Sequence, residues 1–333
     1  MSQDEETSIN IENNKKIHIS QYQLTSNYVN SITKAYIHEH DHPKEIDLVF
    51  SSGAFNAPIG MGLGMYLKKM EEYKHIKVHR VSGSSIGALL SLWYIMTDIN
   101  DENTFHFFEK YFINAINNFK KYKNLSIYRT FIETYVYKTF DTDDMSKINK
   151  RLYITYSDTK KFKKITVCNY KNRKNLIDCL LRSSHIPYLT NGKSKYKERY
   201  IDGIYPYIFY NKKKKNRETL FVNMMCKTYL SGCLIIKECD IYKRILIGIN
   251  DANNFFTTGN SPLCIYTKNI TYKNQIERNL FEYVFFILLF IMDVIVSIHL
   301  NTQMLFSESI IYNAVYDFFY SFFEGFIDGF FFG

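Results

Sequence analysis

The sequence predicts an α/β layered fold. Short apolar runs end in glycine- and serine-rich loops, longer segments between them repeat apolar residues at helical spacing, and a 46% hydrophobic content over 333 residues suffices for a large core. Residues 1 to about 45 have little apolar periodicity and read as a flexible arm, with a short helix near Ser31 to Ile37. Ile46 to Phe50 is a short apolar run that stops in Ser51-Ser52-Gly53, as a buried strand entering a tight loop does. Pro58 suits a first helical turn, and Ile59, Leu63, Tyr66, Leu67 and Met70 carry that helix to Glu71-Glu72. Gly60, Gly62 and Gly64 inside it each cost about 1 kcal/mol against Ala, which predicts a closely packed neighbour. Lys68-Lys69 and Glu71-Glu72 read as its solvated face.

A second strand, Lys77 to Val81, leads through Gly83-Ser84-Ser85-Ile86-Gly87 into a buried helix, Ala88 to Met96. Two amphipathic helices follow, one lined by Phe108, Tyr111, Phe112, Ala115 and Phe119, the next by Tyr128, Phe131, Ile132, Tyr135 and Val136. Leu152 to Tyr156 and Ile165 to Cys168 read as paired strands, a short helix follows Lys174, and Tyr200-Ile201 ends a strand before Asp202-Gly203. Phe221 to Met225 and Leu234 to Ile236 are further strand candidates.

The formal charge of +9 conceals a segregation. Lys147 to Arg217 holds twenty Lys and Arg against four Asp and Glu, whereas Asn279 to Gly333 holds none against six. A basic middle and an acidic, aromatic tail are different physical objects, so net charge alone does not indicate nucleic-acid binding, and no such motif supports it. The acidic, polar opening residues lack the basic flank and apolar run of a secretory signal. Six cysteines without a CxxC pair predict free thiols in a reducing compartment, neither a disulfide framework nor a zinc site. The alternating histidines His38, His40 and His42 sit in a short stretch just before Pro43, which does not give the helical face of a metal site, and read as a solvated linker.

The sharpest chemical signal is a strand, then G-x-S-x-G as Gly83, Ser85 and Gly87, then a helix. A nucleophile elbow needs this order because its serine occupies a strained turn that flanking side chains would obstruct, and because the helix start favours developing negative charge. After Ser85 the histidines are only His106, His185 and His299. The Ser-acid-His order of an α/β-hydrolase triad is therefore poorly met.

In this respect the sequence resembles the patatin-like phospholipases over roughly Asp47 to Arg217. The family's glycine-rich loop, elbow and Asp-Gly block correspond, in order, to Ser51 to Ala57, Gly83 to Gly87, and Asp202-Gly203-Ile204, and its Ser-x-x-x-Pro segment to Ser183 to Pro187. The resemblance implies a three-layer α/β/α hydrolase domain, a Ser85-Asp202 dyad that needs no histidine, metal or cofactor, and an oxyanion hole whose best-placed donors are the Gly53 and Ala54 N–H groups. His185 then reads as structural. The sequence departs from the family at Ser52 and Ala54 in the glycine triplet, at Asn56 where a basic residue follows, at Ala57 in place of a glycine, and at Ile204 in the third block. Backbone donors survive such changes only if Ser and Ala can adopt the loop's φ and ψ.

Four regions are expected: the arm 1–45, a catalytic domain 46–217, its continuation 218–278, and hydrophobic aromatic C-terminal helices over 279–333. The implied activity is hydrolysis of fatty-acyl esters in membrane lipids, with a non-catalytic lipid-binding protein and a transacylase as alternatives. The basic segment, including Lys160 to Lys164, Lys193 to Arg199 and Lys212 to Lys215, predicts an anionic membrane surface as a partner. The tail holds 13 of the 27 Phe, with Glu282 and Asp293 interrupting Leu280 to Leu300. This favours a docked or interfacial helical pair over a spanning anchor, in a peripheral intracellular protein.

Overall fold

Two parallel strands organise the molecule. In a computed structural model, which describes residues 21–36, 42–98, 102–122, 125–209, 217–233 and 240–269 and the isolated helical positions Ile287, Ile291 and Val294, β1 (Lys44–Phe50) lies beside β2 (Ile76–Ser84). Adjacent parallel strands need a crossover, supplied here by helix α2 (Ala57–Glu72). β3 (Leu152–Asp158) adds parallel to β2, and β6 (Glu218–Val222) parallel to the other side of β1. Antiparallel β4 (Lys163–Val167) and β7 (Cys264–Tyr266) close the edges, and β5 (Tyr200–Asp202) pairs antiparallel with β3, giving the order β4-β3-β2-β1-β6-β7 with β5 off that path.

Side chains alternate across this sheet. Ile46, Leu48 and Phe50 face a large core shared with the helices, while Val49 belongs to a smaller cluster with Phe221, Ile208 and Phe209. Burial on both faces explains why β1 reads as an unbroken apolar run rather than an alternating one. The remaining helices are α1 over residues 21–34, α3 (Ile86–Met96), α4 (Glu102–Tyr122), α5 (Ile127–Thr139), α6 (Arg173–Ser183) and α7 (Ile241–Thr258). The mixed sheet and these seven helices, counted among the described residues, make the three-layer α/β/α hydrolase fold that the sequence predicts.

The glycines of α2 have the close neighbour their cost implied. A Cβ on Gly62 would lie 1.9 Å from the Ile245 carbonyl oxygen, and one on Gly248 of α7 would lie 1.9 Å from that of Ile59. The two helix backbones therefore touch. Asp240 caps α7 through Lys243 N–H at 3.0 Å, and Gly259, at φ 78, ends it.

The structure corrects the sequence reading in two places. The helix of the supposed arm starts by residue 21 and buries Tyr22 and Val29, Tyr22 packing on Phe105 with ring centroids 4.9 Å apart. Its few apolar residues gave too weak a period to register. The charges at the end of α2 are a solvated face only in part, for Glu72 is exposed. Lys69 is buried and pairs with Glu72 at 2.6 Å, while Glu71 accepts Val78 N–H at 2.7 Å and the Tyr94 hydroxyl at 2.6 Å. The helix is enclosed by β2 and α3, so these groups serve as hydrogen-bonding ties.

The strand proposed at Leu234 to Ile236, the Lys212 to Lys215 run, His38 and His40 lie outside the described residues, as do the C-terminal helices apart from the exposed Ile287, Ile291 and Val294. Among the described residues no helix is long and apolar enough to cross a membrane.

Candidate active site

Ser85 is the single residue between β2 and α3, with φ 54 and ψ −133. A non-glycine residue at positive φ costs on the order of 1–3 kcal/mol and needs surrounding structure to hold it. The flanking glycines make room, since a Cβ on Gly83 would lie 2.1 Å from the Gly87 carbonyl oxygen and one on Gly87 would lie 2.3 Å from that of Ser51. Ser85 N–H donates to Ser183, to its carbonyl oxygen at 3.1 Å and its Oγ at 2.9 Å, and Ser183 Oγ donates to the Thr155 carbonyl at 2.7 Å. Thus α6 and β3 anchor the elbow.

Asp202 ends β5, where pairing opposite Tyr156 of β3 brings it to the carboxyl edge of the sheet. Its N–H donates to the His185 carbonyl at 2.9 Å, and its Oδ1 accepts Ile204 N–H at 2.7 Å. Ser85 lies beside the same carboxylate and favours its charged form. Burial disfavours the charged form and pushes the carboxyl up to about 6, although Ser85 and the Ile204 N–H oppose the rise. A carboxylate so placed can take a proton near neutral pH.

The loop after β1 supplies the third part. Ser51 Oγ donates to the Ser52 carbonyl at 2.7 Å, and Asn56 N–H donates to the Gly53 carbonyl at 2.8 Å. Both carbonyls being tied back, the planar trans peptides direct the Gly53 and Ala54 N–H groups the opposite way, and neither donates to an acceptor among the described residues. Ala54 holds φ 42, so the loop keeps a left-handed residue despite the added methyl group. Ser52, where the family has a glycine, donates from Oγ to the Ile204 carbonyl at 2.6 Å and lies 3.0 Å from Ser84 Oγ. It ties the first loop to the Asp202-Gly203-Ile204 block, in which Ile204 stands at φ 53 and a Cβ on Gly203 would lie 2.3 Å from the Thr155 carbonyl oxygen.

Sequence reasoning missed Arg244. Asn56 Nδ2 donates to the carbonyls of Met224 at 2.8 Å and Tyr229 at 2.7 Å, and Arg244 Nη1 donates to those of Phe55 at 2.9 Å and Gly232 at 3.1 Å. A cation thus reaches this loop from the first turn of α7, while the loop itself carries a neutral amide. A polar N-cap at Asp240 ahead of apolar helical spacing could have revealed α7, but not its approach to a loop 189 residues away.

Ser85 and Ala54 also line a narrow, open and mostly apolar cleft, walled by Phe55, Ile86, Tyr111, Phe112, Leu125 and Ile186. α4 and α5 supply much of that wall, so their apolar faces serve the cleft as well as the core. Tyr128 donates its hydroxyl to Ser184 Oγ at 3.0 Å, and burial pushes that hydroxyl up. His185 is buried with Nε2 3.1 Å from the Lys193 carbonyl, and burial lowers its basicity. It meets Asp202 through its backbone only, consistent with the structural role expected of it. No group of His, Cys, Asp and Glu able to hold a metal ion occurs among the described residues.

Fold and site together define an α/β protein with a serine elbow beside a buried aspartate. Residues 48–205 match the family model of patatin-like phospholipases. The matched stretch runs from within β1 to just past Asp202, a little under half of the chain. No curated protein matches it.

Proposed function

We propose that the protein hydrolyses fatty-acyl esters of membrane lipids through Ser85 and Asp202. Ser85 Oγ attacks the ester carbonyl as its proton passes to the Asp202 carboxylate. The carbonyl π electrons move to oxygen, where the Gly53 and Ala54 N–H groups stabilise the oxyanion, at about 100- to 1000-fold in rate per donor. Collapse expels the alcohol portion of the lipid, which takes the proton from Asp202, and leaves an ester on Ser85. Water then gives a proton to Asp202 and attacks that ester, and as the fatty acid leaves, Asp202 returns the proton to Ser85 Oγ, which restores both groups. The apolar cleft beside Ser85 suits the acyl chain.

The observation that carries this reading is the strained Ser85 elbow, tied to Ser183, beside a buried Asp202 carboxyl that is raised to about 6. Nucleophile and base are neighbours, and His185 meets Asp202 through its backbone carbonyl. Because the carboxylate is the active form, the rate should rise through about pH 6 and level above it. The test is fatty-acid release from mixed phospholipid vesicles by the full chain, with Ser85→Ala as control, and labelling of Ser85 by an active-site phosphonate. Release with labelling supports the reading. Lipid binding without release or adduct would leave a non-catalytic binding protein, and capture of the acyl group by an added alcohol would indicate transacylation.

A further inference from the structure

We infer that the β3–β4 hairpin seats the protein on an anionic phospholipid bilayer with the candidate active site facing the lipid. Its turn is Thr159-Lys160-Lys161-Phe162. Phe162 is 80% exposed, the most exposed large apolar side chain among the described residues, and stands at φ 47. Lys160, Lys161 and Lys163 around it are exposed and form no ion pair among the described residues. Lys193, on the loop whose carbonyl meets His185, is likewise exposed.

An ordinary lysine-rich turn explains this arrangement less well. β4 is an edge strand, and Lys163 on it could serve to discourage pairing with another sheet. Lys160, Lys161 and Phe162 lie beyond the ladder, where there is no edge to protect, and a bare phenyl ring would promote association in water.

The turn is also held in place. Asp158 accepts the N–H groups of Lys160 at 3.1 Å and Lys161 at 3.2 Å, and Arg199 Nη2 reaches its Oδ2 at 2.7 Å. Thr159 N–H donates to the Arg199 carbonyl at 2.9 Å. A fixed tip presents its phenyl ring without the ordering cost a floppy loop would incur.

Topology gives the orientation. β1, β2 and β3 run parallel, so the loop at 51–56, Ser85 and this turn all emerge at the carboxyl edge of the sheet. Asp202 pairs opposite Tyr156, two residues before β3 ends, about 7 Å at the usual rise per residue. An aromatic ring among lysines at that edge matches the acyl boundary and phosphate layer of a bilayer whose surface is negative. The inference deepens the lipid-hydrolase reading, but binding is measured without turnover.

Flotation of the full chain with vesicles of phosphatidylcholine and phosphatidylserine tests it, pure phosphatidylcholine serving as reference. Binding should favour the anionic vesicles and weaken with salt. Lys160→Glu with Lys161→Glu should reduce it more than tenfold, at about fivefold for each lysine lost. Phe162→Asn, which tolerates the left-handed backbone, should reduce it about tenfold. Turnover of soluble p-nitrophenyl butyrate should be unchanged in both variants. Variants that bind like the wild type, or a wild type without preference for anionic vesicles, would overturn the inference. Loss of hydrolysis of the soluble ester in the wild type would instead sink the dyad reading.

Discussion

The elbow at Ser85 and the crossing of α2 with α7 both depend on glycines, for opposite ends. At the elbow, Gly83 and Gly87 clear space around a residue held at φ 54, and the surrounding groups are polar and directional. At the crossing, Gly62 and Gly248 let two regular helices touch along their backbones within an apolar core. The first arrangement gives up stability to present a reactive group. The second gains stability, and no reactive group is present. Missing side chains thus mark close approach in both regions, and only the backbone angles distinguish strain from packing.

The largest effect should separate the two regions by activity. Ser85→Ala should lower ester hydrolysis by at least about 10⁴-fold, some 5.5 kcal/mol of barrier, while urea unfolding stays near that of the wild type. Gly62→Val should do the reverse. With 1.9 Å between its Cβ and the Ile245 carbonyl oxygen, the helices must separate, at about 4 kcal/mol of unfolding free energy.

Asp202→Asn joins activity to stability. In the folded chain the carboxyl keeps its proton up to about pH 6, whereas in an unfolded chain it loses it near ~4. Wild-type stability therefore falls as pH rises through that interval, and the full penalty applies above it. The asparagine variant, inactive as a base, should be more stable by about 2–3 kcal/mol at pH 8 and show little gain at pH 4, read by urea melts at both values. The smallest effect expected is that of Arg244→Gln. Releasing the Phe55 carbonyl should loosen the donor loop and lower kcat by about tenfold, or ~1.4 kcal/mol, with KM little changed. Added guanidinium should partly restore the rate, which a purely structural defect would not allow.

Much of this was legible in the chain because it is local. The apolar run of β1, the elbow motif and the amphipathic faces of α4 and α5 each lie within a few residues of sequence, and backbone periodicity expresses them directly. The parts that escaped are those in which distant segments meet. α1 has few apolar residues, yet Val29 is completely buried. Glu71 looks solvated until Val78 N–H and the Tyr94 hydroxyl are brought against it.

Taken by itself, the sequence determined the order of strands and helices from β1 to β6, the elbow at Ser85, and the candidacy of Asp202 through resemblance. Tertiary structure decided where Asp202 lies, because β5 pairs with β3 and burial then raises the carboxyl toward neutrality. It also decided how the altered first loop is held, through Ser52 bonded to the Ile204 carbonyl and Arg244 bonded to the Phe55 carbonyl. Local pattern follows from one residue's neighbours in the chain. Hydrogen-bond direction and desolvation depend on which segments pack together.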